Sequence, residues 1–235
     1  QYAEFSAFMV LTNPFNGKKV RFRADNIRFS FKSGIQGSVN LKLMEAQTTT
    51  LVNNALLHWL PGSFVEFDCR GFKQIGIKGE VELNKDIFIG VDPLTGKETG
   101  KVKAPFYTNF ADFNNFLVDV SFSTFKIKGF DELFFSFTNV VLDFSDVANS
   151  PNLKFPKDYQ PEYTGEMANL WRGLYVQGAV ITLSKKFRKT TGAPTSFFAN
   201  NLVIDNQGFS GVFGANNLLS YKEGKLGSWE FSVDK

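Results

Sequence analysis

Few residues in this chain could carry out covalent chemistry. A Ser or Cys nucleophile needs a base beside it, and the 235 residues include one histidine. That residue, His58, lies in Leu56-Leu57-His58-Trp59-Leu60, an apolar setting that suits a partly buried structural side chain better than a general base. One imidazole cannot furnish a histidine-based metal centre. Neither a Gly-rich phosphate loop leading into a helix nor Gly-x-Ser-x-Gly occurs. Carboxylates are plentiful, with 23 Asp and Glu, and two of them could run glycoside hydrolysis, but no spacing selects a pair. The sequence therefore predicts a protein that is not an enzyme, with no catalytic residue, no metal and no cofactor, and it leaves any ligand-binding residues unknown.

The carboxylates that do fall into a pattern belong to a recurring phrase. Asn26-Ile27-Arg28-Phe29-Ser30, Asn115-Phe116-Leu117-Val118-Asp119, Asn139-Val140-Val141-Leu142-Asp143 and Asn201-Leu202-Val203-Ile204-Asp205 each run from an Asn through three mostly apolar residues to Asp or Ser. Two copies also agree in their surroundings. Phe22-Arg23-Ala24-Asp25-Asn26-Ile27 matches Phe197-Phe198-Ala199-Asn200-Asn201-Leu202, and Ser33-Gly34-Ile35-Gln36-Gly37 matches Gln207-Gly208-Phe209-Ser210-Gly211 after a one-residue deletion. The apolar residues suit a pleated strand, and Asn and Asp suit its turns. The glycines permit positive φ or close backbone approach. In an extended chain Asn139, Val141 and Asp143 share one face, as do Asn201, Val203 and Asp205. Clustered carboxylates also suit calcium, but no Asp- and Gly-dense loop accompanies these.

Other candidates are weaker. Lys185-Lys186-Phe187-Arg188-Lys189 reads as a solvated loop rather than an anion site. Trp59, Trp171 and Trp229, with six Tyr, could build a sugar-stacking platform, yet each Trp stands beside a turn signal, where packing at a sheet margin is the simpler role. Cys69 is alone, which excludes an intrachain disulfide, and its alternation with Val65 and Phe67 predicts a buried strand face. A net charge of +3 leaves no footprint for nucleic acid. No apolar run approaches the ~20 residues of a membrane helix. The 28 Phe are the compositional anomaly; they predict a Phe-packed core, with an apolar groove or interaction face as the alternative.

The elements that position these residues read as strands throughout. Val65, Phe67, Ile75, Ile77, Val81 and Leu83 alternate with polar residues, giving a sheet with one dry and one wet face. Asn13-Pro14-Phe15-Asn16-Gly17 and Asp92 to Gly100 are turn signals. Gln47 to Leu60 fits either a helix or a hairpin turning at Asn53-Asn54, and the Thr and Asn content favours the hairpin. A short helical turn is expected around Glu166 to Trp171. The fold class is thus all-β with little helix, built of degenerate internal repeats as a sandwich, a curved open sheet or an irregular β-solenoid; the uneven repeat spacing argues against a strict solenoid. Three parts follow: a β-rich unit over 1–148, a Pro-containing connection over 149–170, and a second β-rich unit over 171–235.

The start at Gln1 and the strand-like end at Trp229 to Lys235 predict an excerpt of a larger, exported, repeat-containing protein at the cell surface, in the periplasm or outside the cell. The expected function is a structural or adhesive β module that presents a surface and packs against other copies of the repeat or other subunits. The alternative is a lipid-binding or lipid-transfer scaffold with a Phe-lined β groove. A segment of a membrane β-barrel fits less well, because the charges and prolines suit a soluble domain.

Overall fold

The computed structural model describes residues 2–12, 17–147, 149–157, 159, 170–184, 194–216, 220–221, 224–225 and 229–233. The expected turn over 13–16, the helical turn at 166–169 and the basic run with its continuation to residue 193 lie outside the described residues. The strands are β1 (Ala3–Thr12), β2 (Lys19–Ser30), β3 (Gly34–Ile35), β4 (Val39–Leu43), β5 (Gln47–Thr50), β6 (Leu56–Trp59), β7 (Phe64–Asp68), β8 (Gly71–Glu82), β9 (Phe88–Val91) and β10 (Glu98–Gly100). There follow β11 (Lys103–Asp112), β12 (Asn115–Ile127), β13 (Leu133–Asp143), β14 (Gly173–Leu183), β15 (Ser196–Asp205), β16 (Gly208–Asn216), β17 (Ser220–Tyr221), β18 (Gly224–Lys225) and β19 (Trp229–Val233). Apart from the small β17–β18 ribbon, they form one open antiparallel sheet that does not close into a barrel. Of the three arrangements the sequence allowed, the open sheet is the one adopted.

Its main path runs β1-β2-β4-β7-β8-β11-β12-β13-β14-β15-β16-β19, each strand hydrogen-bonded to the next. The hairpin of β5 and β6 fills the row beyond β7, pairing with Gly79 to Glu82 of β8. The hairpin of β9 and β10 likewise pairs with Phe125 to Ile127, beyond the end of β11. Asn53 and Asn54 turn the first of these hairpins with φ of 57° and 58°, a left-handed conformation that Asn tolerates and a helix would not contain.

Two apolar cores lie on this frame. In β2 and β4, Val20, Phe22, Ala24, Val39, Leu41 and Leu43 alternate with exposed residues and form the first core with Ile27 and Val65. In the second, Leu117, Val141, Tyr175 and Val203 of β12 to β15 meet Tyr159 and Trp171 of the connection. Strands β13 and β14 flank that connection and still pair continuously, from Leu133↔Leu183 to Asp143↔Gly173.

Two expectations need correction. Cys69 is exposed, because β7 ends at Asp68 and the pairing Asp68↔Gly71 leaves Cys69-Arg70 as the turn. Phe does not dominate the deep core: Phe22, Phe125 and Phe134 are its fully buried representatives among the described residues, while Phe5, Phe8, Phe31, Phe72, Phe113, Phe130, Phe144, Phe197 and Phe209 are exposed. An open sheet has too little second layer to cover so many rings. Several pack instead on a neighbouring ring along the surface, as where Phe31 meets Phe29, Phe72 meets Phe67 and Phe209 stacks on Phe213.

The recurring Asn is not a strand boundary in three of its four positions. Asn26, Asn139 and Asn201 lie inside β2, β13 and β15 with φ of 59°, 43° and 50°. At each, the ladder with one neighbour slips by a residue, the mark of a β-bulge. In the first two cases a Ser fills the position opposite: Ser6 Oγ donates to Asp25, and Ser121 Oγ donates to Asn139 Oδ1 while accepting from the Asn139 amide. Opposite Asn201 stands Gly211, where a Cβ would come within 3.3 Å of Leu202 Cα. Asn is the residue that fits, since a β-branched side chain at positive φ costs about 1–2 kcal/mol. Chemical denaturation should show Asn201→Val destabilised by about that amount, with Asn201→Gly close to the parent chain; equal stability of the two variants would remove the conformational explanation.

Candidate functional site

The register of β12 to β15 decides where the carboxylates of the phrase go. Leu117, Asp143, Gly173 and Asp205 form one cross-strand row, and Asp119, Val141, Tyr175 and Val203 form the next. Asp119, Asp143 and Asp205 therefore share one sheet face. The connection between β13 and β14 lies over that face.

Each carboxylate engages this covering segment. Asp119 accepts from Ser150 Oγ at 2.5 Å and Asn152 Nδ2 at 2.8 Å. Asp205 accepts from Trp171 Nε1 at 2.8 Å, from the Tyr159 hydroxyl, and from the Gln207 amide at 2.8 Å. Asp143, fully buried, accepts from the Ser145 amide at 2.9 Å. The Tyr175 hydroxyl donates to the Lys154 carbonyl at 2.8 Å. Phe155 fills the space between these polar ties, packing edge-on against Trp171 at 5.1 Å and Tyr175 at 5.9 Å, with Tyr159 at 6.0 Å. Gly173 is required in the row, because a Cβ there would strike the Ile204 carbonyl and the Trp171 indole.

The environments drive the acids apart. Burial pushes the Asp143 carboxyl up to about 6, against the opposing effect of the Ser145 and Ser150 amides and Arg172. Burial also raises Asp205, but hydrogen bonds from Tyr159, Trp171, Gln207 and Gly208 outweigh it and hold that carboxyl below its usual range. Tyr159 and Tyr107 are both raised, by burial first and then by neighbouring carboxylates. Such separation of pKa values can mark an acid–base pair. Here it accompanies enclosure: Asp143 is shut off from solvent and Asp119 is buried beneath Ser150 and Asn152. The geometry fastens a segment to the sheet.

The other sequence candidates are scattered. His58 is partly buried, with Nδ1 3.0 Å from Thr48 Oγ1 and Nε2 3.8 Å from Glu82, in a charged ladder where Lys101 pairs with Glu82 at 2.5 Å and Lys103 with Glu80 at 2.8 Å. Trp171 is buried in the second core and Trp59 borders the first, so these two do not build a common platform; the Trp229 side chain lies outside the described residues. Among the described residues no group of three or more His, Cys, Asp or Glu is placed to hold a metal ion, and no helix is long and apolar enough to cross a membrane. A second buried polar chain, Glu66 to Gln74 to Asn109, links β7, β8 and β11. The sequence did not single out Ser150, Asn152, Tyr159 or Trp171 as partners of the phrase; the available signal was the run of apolar and aromatic residues Leu153, Phe155, Tyr159 and Trp171 within a segment otherwise rich in Pro and Asn. Comparison with protein families, with curated proteins and with solved structures gives no match.

Asp143 yields a prediction of definite sign. Its folded-state pKa is raised, so its proton is held more tightly in the fold; its contribution to stability is complete below the ordinary carboxyl value near 3.8 and is lost as pH rises through about 6. Denaturation between pH 8 and pH 5 should show the parent chain gaining stability on acidification. Asp143→Asn should be more stable than the parent at pH 8 by up to about 3 kcal/mol and should lose most of that pH dependence. A variant less stable than the parent at pH 8 would show that the ionised carboxylate is needed.

Proposed function

We propose that this chain is a non-catalytic structural or adhesive β module of a larger exported, repeat-containing protein, acting by presenting a surface and packing against other modules. One observation carries this: the carboxylates grouped on one face are bound up in fastening the covering segment, while the opposite face of the same strands is apolar and half open. That opposite face bears Phe116, Val118, Leu142, Leu174, Ile204 and Phe209 in adjoining cross-strand positions, with Ile204 42% and Phe209 40% exposed. An apolar surface on a rigid sheet is an association surface. The organisation supports contact with other protein surfaces.

The second reading, a lipid-binding or lipid-transfer scaffold, draws on the same exposure of Phe. Rings that are half open along a sheet could line a groove for acyl chains, which a closed Phe core would have ruled out.

Sedimentation velocity on the purified chain, before and after lipid extraction, separates the two. The module reading expects concentration-dependent association, or retention on a protein surface, that extraction leaves unchanged. Stoichiometric lipid in native mass spectra from a chain that stays monomeric would replace it with the lipid reading.

A further inference from the structure

Strand β1 lies at a margin of the sheet. Among the described residues it pairs with β2 alone, so the backbone groups along its other side form a ten-residue ladder with no strand against it. Edges of this kind are ordinarily blunted by Lys, Pro, an inward charge or shortness. β1 has the sequence AEFSAFMVLT, with no Lys or Pro and a single charge, Glu4, which is turned to Arg28 of β2 at 3.5 Å. The bulge opposite Ser6 distorts one end, but from Ala7↔Ala24 to Thr12↔Lys19 the strand runs in unbroken register.

Its two faces are both unfinished. Ala7, Met9 and Leu11 pack on the first core yet remain only partly buried, since the core ends with them. On the opposite face Phe8 is 62% and Val10 51% exposed, and the Arg23 guanidinium lies 5.3 Å above the Phe8 ring.

We propose that β1 is an assembly edge, where a second copy of this chain adds its own β1 antiparallel about a two-fold axis normal to the sheet. This rests on the module reading and supplies its partner and contact. The symmetry is what commits the occupant. Such an axis keeps each face on its own side, so the Ala7, Met9 and Leu11 layer of one copy meets the same layer of the other, and Phe8 and Val10 meet Phe8 and Val10. Two registers centre on the regular part of the strand. About Phe8, Glu4 stands opposite Thr12; about Met9, Glu4 falls beyond the paired residues. In neither does like charge face like charge, the usual obstacle to self-pairing. A strand with one charge near its end is complementary to itself, and main-chain hydrogen bonds supply the attraction.

Sedimentation equilibrium on the 235-residue chain should show mass rising with concentration from 26.4 kDa to twice that value and then stopping, because a two-fold contact closes. Phe8→Lys combined with Val10→Lys sets lysine against lysine in either register and should weaken dimerisation at least tenfold while leaving the circular dichroism unchanged. Should that variant fold poorly, hydrogen exchange on the parent chain gives the same answer: β1 amides should gain protection as concentration rises. The proposal is overturned by a parent chain that stays monomeric, by a dimer that the double variant leaves intact, or by open-ended polymers, which need a head-to-tail contact. If Leu174→Lys abolishes association and the β1 variant does not, the sheet face is the interface; the module reading then stands and the edge proposal fails. Loss of the module reading itself shows differently, as a monomer carrying stoichiometric lipid.

Discussion

Everything in this molecule answers to one constraint: an antiparallel sheet that does not close has two faces and two margins to protect, and the chain has little besides strands with which to protect them. In a barrel the margins vanish, and in a sandwich each sheet covers one face of the other. Here the excursion between Asp143 and Gly173 covers one face of β12 to β15. The fasteners of that cover are consequently concentrated: Asp119, Asp143 and Asp205 in adjacent cross-strand rows, meeting Ser150, Asn152, Tyr159 and Trp171 from above. Where no cover reaches, apolar side chains pack laterally on one another and stay half open.

The choice of carboxylates rather than more apolar residues as fasteners has a physical consequence. An apolar strap could settle in many positions over a sheet of Leu, Val and Tyr at similar cost. A carboxylate that must find Trp171 Nε1 and the Tyr159 hydroxyl together accepts few, because a displaced strap forfeits both side-chain donors and leaves Asp205 only the amides of its own turn. Asp205 is well supplied and stays easily ionised. Asp143, deeper and with fewer donors, bears the cost of the arrangement, which its raised pKa expresses. The same residue that helps set the connection in place at acid pH thus weakens the fold when ionised.

The fold class was legible because its signal is local. Alternation in β2, β4, β7 and β8 is written in neighbouring residues, and Asn53-Asn54 carries the chemistry of its turn. The sharing of a face by Val141 with Asp143, and by Val203 with Asp205, followed from the same period. What was not legible depends on the third dimension. Nothing in Asn139 or Asn201 distinguishes a residue ending a strand from one bulging inside it, because both exploit the same tolerance of positive φ. Cys69 keeps the alternation of Val65 and Phe67 but lies one residue past the last pair of the hairpin, and a period does not announce where it stops. The partners of the three carboxylates were hidden for a related reason: a connection lacking regular structure has no period at all, so its approach to the sheet is set by the sheet.

The bulges bear on shape as well as on local conformation. A bulge strengthens the right-handed twist of the strand that carries it. Asn26 slips against the edge strand β1, Asn139 against β12 and Asn201 against β16, so the added twist enters near one margin, in the middle and toward the other end. A flat sheet would leave its apolar face evenly open; local twist at a bulge brings side chains on neighbouring strands closer. Phe122, Phe125, Phe135 and Phe137 cluster along β12 and β13, where the ladder slips at Asn139 and again between Phe122 and Phe125. The irregularities of the ladder and this Phe cluster are then two parts of one solution, in which half-open rings on adjoining strands enclose Phe125 at their centre.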